Sequence, residues 1–528
     1  MNDQSFWISV NDLKAYANAF YGLIPGGVSV LDDTDSDIQV PNDINSFLWG
    51  QYVVPTEGGV WQKSNWQNIR NINYFMTHYQ SVQAAEADVN IYVAEMRFFR
   101  ALEYFNKIQL LGDVPWLEVD LNVDSEELYG PKMKRNQVFQ KIIEDLDFAI
   151  QWLPEAGSEE ANRLNKDIAR HVKARFCLNE GTHYKYHDEL EYASEAEKWL
   201  QMAATESDKL ITSGRYEIYN TGHPQEDYFN MYRIDDKSDL KEAVLYVDYK
   251  TNIREHNMAA AGREAGCGFS KSFVESFLCS DGLPISLSNK YLGDETMRKE
   301  TANRDPRLKQ LILTNDFPTN VTDDLKDSTF VVNEDEFITQ HCFTGYRPIK
   351  GFNPIYSQAL YMKSSFDGIA YRYAETLLIN AEAKAELNTI TNADLDRTVN
   401  QLRDRVGMPH LTVNVGFTDP KWPDWGYSLS PVLQEIRRER CIELAGEGFR
   451  FNDLKRWKAG KLLNNVLTYV GKRKPDGNLA IVYPNYTNPD LSYQAGKSRT
   501  WEDKMYLYPI PTGELQRNPQ LLPQNPEW

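Results

Sequence analysis

Apolar residues along this chain recur most often at helical spacing, and two regions carry the pattern. Between residues 88 and 111 (DVNIYVAEMRFFRALEYFNKIQLL), Ile91, Ala94, Phe98, Leu102, Phe105 and Leu110 fall close to one stripe, and Phe99 and Tyr104 widen it. Further helices are predicted at about 62–80, 134–152, 166–183 and 193–213. Short links make consecutive helices antiparallel neighbours, apart from the longer Gly112–Pro131 stretch.

The second region opens with GIAYRYAETLLINAEAKAELN (368–388), where alanines among leucines let helix backbones approach closely. Its partner, NADLDRTVNQLRDRVGMP, starts after Thr391 or Asn392 as N-cap and stops at Gly407 before Pro409. SPVLQEIRRERCIELAGEG (430–448) and FRFNDLKRWKAGKLL (449–463) predict another pair. Paired helices of this length, with small residues at their crossings, suggest degenerate tetratricopeptide-like units. Residues 215–365 differ: a strand-like AVLYVDYK, turn signals at Asp281-Gly282 and Asn303–Pro306, and many aromatics describe a long irregular insertion. The expected fold is therefore mainly all-α with minor β, in three regions: 1–214, 215–365 and 366–528.

Charge narrows the function. The 76 acidic against 57 basic residues leave a net charge of -19, which opposes nucleic acid and anionic lipid as partners. No run approaches the roughly 20 apolar residues of a membrane helix. The start, MNDQSFWISVNDLKAYANAFY, has no basic leader followed by an apolar run. Five cysteines (Cys177, Cys267, Cys279, Cys342, Cys441) form no CxxC pair, so buried free thiols are expected; a disulfide between Cys267 and Cys279, 12 residues apart, is the alternative.

Catalytic signatures are absent. The chain holds no GxSxG, HExxH, P-loop or dinucleotide fingerprint, and no pair of carboxylates stands out as a helical glycosidase would require. His183 and His187 are i, i+4 on a helix but lack an evident third metal ligand. In IRRERCIELAGEGFRFNDLKRW (436–457), arginines and glutamates interleave at spacings that allow intrahelical ion pairs on a solvated or helix-locking face, and Arg450, Asp453 and Arg456 can tie the following turn.

Recognition is what remains. Aromatic rings pack on the C–H faces of sugars while carboxylates, amides and guanidinium groups bracket the hydroxyls. Two stretches offer this chemistry: 32–66, with Asp33, Asp35, Trp49, Tyr52, Trp61 and Trp66, and 286–347, with Tyr291, Phe317, Phe343, Tyr346 and Arg347. The candidate ligand contacts are Asp33, Asp35, Trp49, Tyr52, Trp66, Tyr291, Tyr346 and Arg347. Trp61 and Trp66 open a helix, where an aromatic is more often a core anchor, and WPDWGYS (422–428) reads as a packed cap before a helix. No cofactor is expected; the run Asp32, Asp33, Asp35, Asp37 raises calcium but lacks the glycine and distal glutamate of an EF-hand loop, so a solvated turn is preferred.

Seven ordered blocks resemble the SusD/RagB family: AEMRFFRALEYFNKIQLLGDVPW (94–116), FLCSDGLPI (277–285), NRDPRL (303–308), YRYAETLLINAEAKAELN (371–388), VNQLRDRVGMP (399–409), the 436–457 block, and LYPIPTGELQRNPQLLPQNPEW (507–528). The resemblance implies a non-enzymatic, outward-facing protein of the outer membrane that captures oligosaccharides for a SusC-like TonB-dependent transporter. It also implies a lipidated cysteine upstream of Met1, a tetratricopeptide-like face toward the transporter, a C-terminal strand with Asn-Pro turns, and ligand loops outside the recognisable blocks. Its RagB branch implies peptide as the alternative ligand.

Overall fold

A computed structural model of the chain describes residues 6–27, 31–41, 45–264, 266–481 and 499–528. It is 45% helical and 8% strand, and among the described residues the strands form two-stranded sheets alone, so the protein is mainly all-α. Two compact units interleave in sequence: Met1–Pro25, Tyr52–Phe176 and Glu502–Trp528 make one, and Gly26–Gln51 and Cys177–Trp501 the other. These boundaries are other than those of the three regions read from the pattern.

The first unit is organised on the helix Glu86–Leu111, against which Arg135–Trp152, Ser64–His78 and Val10–Asn18 pack. Its stripe of Ala94, Phe98 and Phe105 is buried as expected, joined by Val93, Phe99, Tyr104 and Ile108. Gly112 ends it at a φ of 74° that suits glycine. Asp145, buried on the facing helix, accepts from the Arg100 guanidinium at 2.7 Å and from Arg97 at 2.6 Å, which fixes the pair's register. The expected C-terminal strand is not formed: residues 507–528 hold the short helix Thr512–Arg517 and a single 3-10 turn, Pro519–Leu521. Prolines at 509, 511, 519, 523 and 526 remove the donors a ladder needs. The Asn-Pro turn is present, with the Asn518 side chain accepting from the Gln520 amide.

In the second unit the helix Tyr373–Glu386 is buried almost all round and packs against Ala193–Thr212 and Pro431–Glu443. Close approach is enforced at Gly181 of the helix Lys166–Tyr186, where an added Cβ would lie 2.9 Å from the Leu200 side chain and 3.0 Å from its amide nitrogen. Helical reading from 368 needs correction at its start. Gly368–Arg372 is a strand, antiparallel to Ala243–Val247, the strand the pattern did identify. Ile369 and Tyr371 suit a pleated, half-buried surface and find a ready partner there.

The arginine-rich block turns inward. Glu443 is fully buried and receives Arg405 at 2.6 Å, Arg372 at 2.7 Å and Arg307 at 3.0 Å. Glu439 pairs with Arg307 and Arg403, Glu382 with Arg456, and Glu386 with Arg437. Intrahelical pairing persists at Arg438 and Glu435, 3.2 Å apart. Asp453 ties Arg456 as the sequence suggested and Arg440 in addition, while Arg450 reaches instead to Asp37. This is a helix-locking face, not a solvated one. All five cysteines are free thiols. Among the described residues no helix is long and apolar enough to cross a membrane.

Candidate functional site

The eight expected ligand contacts are distributed over both units. Tyr52 and Trp66 belong to the first, where Tyr52 sits edge-on to Tyr508 and Trp528, and Trp66 lies against Trp61 with the Lys107 ammonium 5.4 Å from its ring. Both are half-buried.

The other six belong to the second unit, and several are enclosed. Asp33 is 1% exposed; its carboxylate accepts the Gly446 and Arg450 backbone amides at 2.6 and 2.9 Å. Asp35 accepts from the Asn45 amide at 2.5 Å. Trp49, 6% exposed, stands edge-on to Tyr469. Tyr346 is 0% exposed, and its hydroxyl donates to Glu300 beside the buried Lys271. Tyr291 is brought to the same neighbourhood by Arg304, which lies over its ring and donates to the Glu300 carbonyl. Arg347 is half-buried in the segment whose backbone bonds Leu313. Asp33, Trp49 and Tyr346 are thus scaffold, presenting no face to a ligand. Residues 42–44 of the first aromatic run lie outside the described residues.

The acidic run is likewise engaged. Asp37 forms a two-pronged pair with Arg450 at 2.7 and 2.8 Å, while Asp33 is held by backbone amides. Among the described residues no group of three or more His, Cys, Asp or Glu side chains can hold a metal ion. His187 uses both ring nitrogens, toward Glu189 and the Lys455 carbonyl at 2.8 Å each, and stacks on His183.

A different surface presents rings to solvent. The hairpin Pro318–Val321 with Ser328–Phe330 docks on the segment that follows Phe352: Val321 donates to the Pro354 carbonyl, Tyr356 donates back to Val321, and the Asp323 carboxylate accepts the Ser357 amide at 2.9 Å. Beneath it, Phe352, Ile349 and Ala359 are buried in the core. Tyr361 is 76% and Tyr356 50% exposed, and Phe330, Leu360 and Met362 on the same segments are exposed as well. Met362 has a φ of 55°, and its amide is held by Asn257 at 3.1 Å, so the segment is fixed even where it is exposed. Apolar groups left in water on a loop whose backbone is bonded to Asp323 and Asn257 are the makings of a recognition surface. Sequence reasoning missed Tyr356 and Tyr361, which lie just past the 286–347 insertion. The signal was available in FNPIYSQALYMKSS (352–365), where polar residues and a proline surround isolated aromatics with no periodic partner.

The comparisons with known proteins agree with this architecture. A profile described as the SusD family matches residues 212–528. SusD-like protein P2 of Formosa agariphila is 23% identical over 99% of this chain and 94% of its own length. A SusD-like protein from Bacteroides fragilis has the same fold, with a TM-score of 0.76, 24% identity, and 99% and 98% of the two chains covered. A SusD-like carbohydrate binding protein from the same organism superposes with a TM-score of 0.71 at 20% identity, covering 98% of this chain and 100% of that one.

Proposed function

The chain belongs to the SusD family, and on that premise we propose that it binds oligosaccharides or polysaccharide at the cell surface and delivers them to a SusC-like TonB-dependent outer-membrane transporter. A lipid anchor holds it on the outward face of the outer membrane, in keeping with the family resemblance. The observation that carries the ligand class is the pair Tyr356 and Tyr361, exposed on a segment otherwise stitched to the core. A ring that costs little to desolvate, carried on backbone already held in place, suits the apolar faces of sugars. The name of the carbohydrate binding relative points the same way.

Capture of this kind needs no acid–base pair, and four carboxylates buried in the second unit are committed elsewhere. Glu382, Glu386, Glu439 and Glu443 each face an arginine within 2.5–2.9 Å. On this reading the protein acts as a binder, and the release of reducing ends is what separates it from a hydrolase.

Electrophoresis through gels cast with starch, laminarin, xylan or pectin tests this directly. At least one polysaccharide retards the protein, no reducing ends are released, and Tyr361→Ala weakens the retardation at least about tenfold, the loss of a stacking contact of roughly 1.4 kcal/mol. Release of reducing ends overturns the reading. Peptide co-purifying with a protein that no polysaccharide retards moves it to the peptide-binding branch.

A further inference from the structure

The loop before the helix Pro431–Glu443 shapes a second feature, a cleft of about 570 Å³ inside the second unit. That volume lies within the ~300–1,000 Å³ of pockets for small ligands. Of its two tryptophans, Trp425 is buried, crosses Trp457 edge-on and donates its indole N–H to Gln434 at 2.6 Å, so it is the packed cap that the sequence predicted. Trp422 is different. It is half-exposed on the cleft wall, and its N–H donates to Glu435 at 2.7 Å, which sets the plane of the ring.

Charge around the cleft is closed almost everywhere. Asp37 takes Arg450, Asp419 takes Arg438 at 2.6 Å, Glu275 takes Lys421 at 2.9 Å, and Arg437 turns to Glu386. Two lining charges are without an ion-pair partner among the described residues, the rim residues Lys461 and Asp424, and they are opposite in sign. An anionic or cationic ligand would therefore meet no buried counter-charge. The uncommitted groups are hydrogen-bonding ones: the Gln434 amide N–H₂, whose oxygen alone is used, and the Asn465 amide N–H₂, whose oxygen accepts the Leu467 amide. Apolar wall is supplied by Phe273, Ile285 and Leu467.

We propose that this cleft is a second saccharide site, taking the uncharged end of a short oligosaccharide on Trp422, with Gln434 and Asn465 donating to its hydroxyls. It differs from the tyrosine surface in kind. A cleft with walls takes a chain end, while exposed rings on a loop take any run of sugars passing over them. The proposal does not depend on the tyrosine surface being occupied.

Fluorine NMR of protein labelled with 5-fluorotryptophan tests it. The chain has 12 tryptophans, and Trp422→Phe identifies the resonance by deleting it. Titration uses glucose, galactose, mannose, xylose, maltotriose, cellotriose and laminaritriose, each to about 10 mM, enough to saturate a millimolar site. At least one saccharide shifts the Trp422 resonance saturably. Ser276→Trp, which fills the cleft from its wall and removes only a hydroxyl bond to the Phe273 carbonyl, weakens that response at least about tenfold, and Tyr361→Ala leaves it unchanged. A Trp422 resonance unmoved by every saccharide overturns the proposal, as does a shift that survives in Ser276→Trp. A shift lost in Tyr361→Ala assigns the binding to the other surface and also overturns it. Failure of the polysaccharide test above, by contrast, leaves the Trp422 response intact.

Discussion

At the scale of single residues, burial and pairing pull the second unit's carboxylates in opposite directions. Burial pushes the Glu443 carboxyl up, but Arg405, Arg372 and Arg307 together outweigh it and hold the group well below the usual carboxylate range. Asp33 has no such partner. Burial drives its carboxyl up from 3.8 to about 7, against the backbone amides of Arg450 and Gly446. A carboxyl raised on folding binds its proton in the folded state across a window where the unfolded chain has released it. Its contribution is therefore complete below 3.8 and is lost as pH rises through about 7. Urea unfolding of the wild type between these limits loses stability with rising pH that Asp33→Asn does not lose. Coincident slopes for the two proteins mean that Asp33 stays ionised throughout.

At the scale of elements, glycine 181 shows which force decides a helix crossing. Alanine there gains about 1 kcal/mol of helix propensity. It also drives a methyl to within 3.0 Å of the Leu200 backbone nitrogen, where a side chain cannot simply swing aside. Overpacking of this sort costs about 1–3 kcal/mol, so Gly181→Ala lowers the thermal midpoint of the protein; a rise in that midpoint shows that the crossing relaxes freely. The same contrast explains what was legible beforehand. Glu86–Leu111 and Arg135–Trp152 are amphipathic over five to seven turns, and periodicity placed them within two residues. Gly368–Arg372 was drawn into the helix behind it, because a five-residue strand declares itself only through its partner Ala243–Val247, more than a hundred residues away. The arginine block was ambiguous for a related reason. Charges at i, i+3 and i+4 look alike on a solvated face and on one whose partners, such as Arg307, Arg372 and Arg405, come from distant segments. Loops were least legible: Trp49 and Tyr346 carry the same chemistry as Tyr356 and Tyr361, and only burial separates scaffold from surface.

At the scale of the whole molecule, the net charge of -19 sets the terms on which a ligand approaches. A polyanion is repelled at long range, and the repulsion fades once salt shortens the screening length from roughly 30 Å at 0.01 M to about 3 Å at 1 M. A neutral glycan feels neither. Stacking on Tyr356 and Tyr361 and hydrogen bonds to amides leave its affinity nearly indifferent to ionic strength. On the segments that carry that surface, two acidic groups are locally balanced: Lys326 sits 2.8 Å from Asp324, and Lys363 faces Glu255 at 3.6 Å. Calorimetric titration with the retarding polysaccharide, across about 0.01 to 1 M sodium chloride, therefore gives dissociation constants that agree within about twofold. Binding that tightens severalfold with salt identifies an anionic glycan whose approach the protein's charge resists. Binding that weakens severalfold requires an attractive charge contact at the tyrosine surface, and removes the stacking account of its specificity.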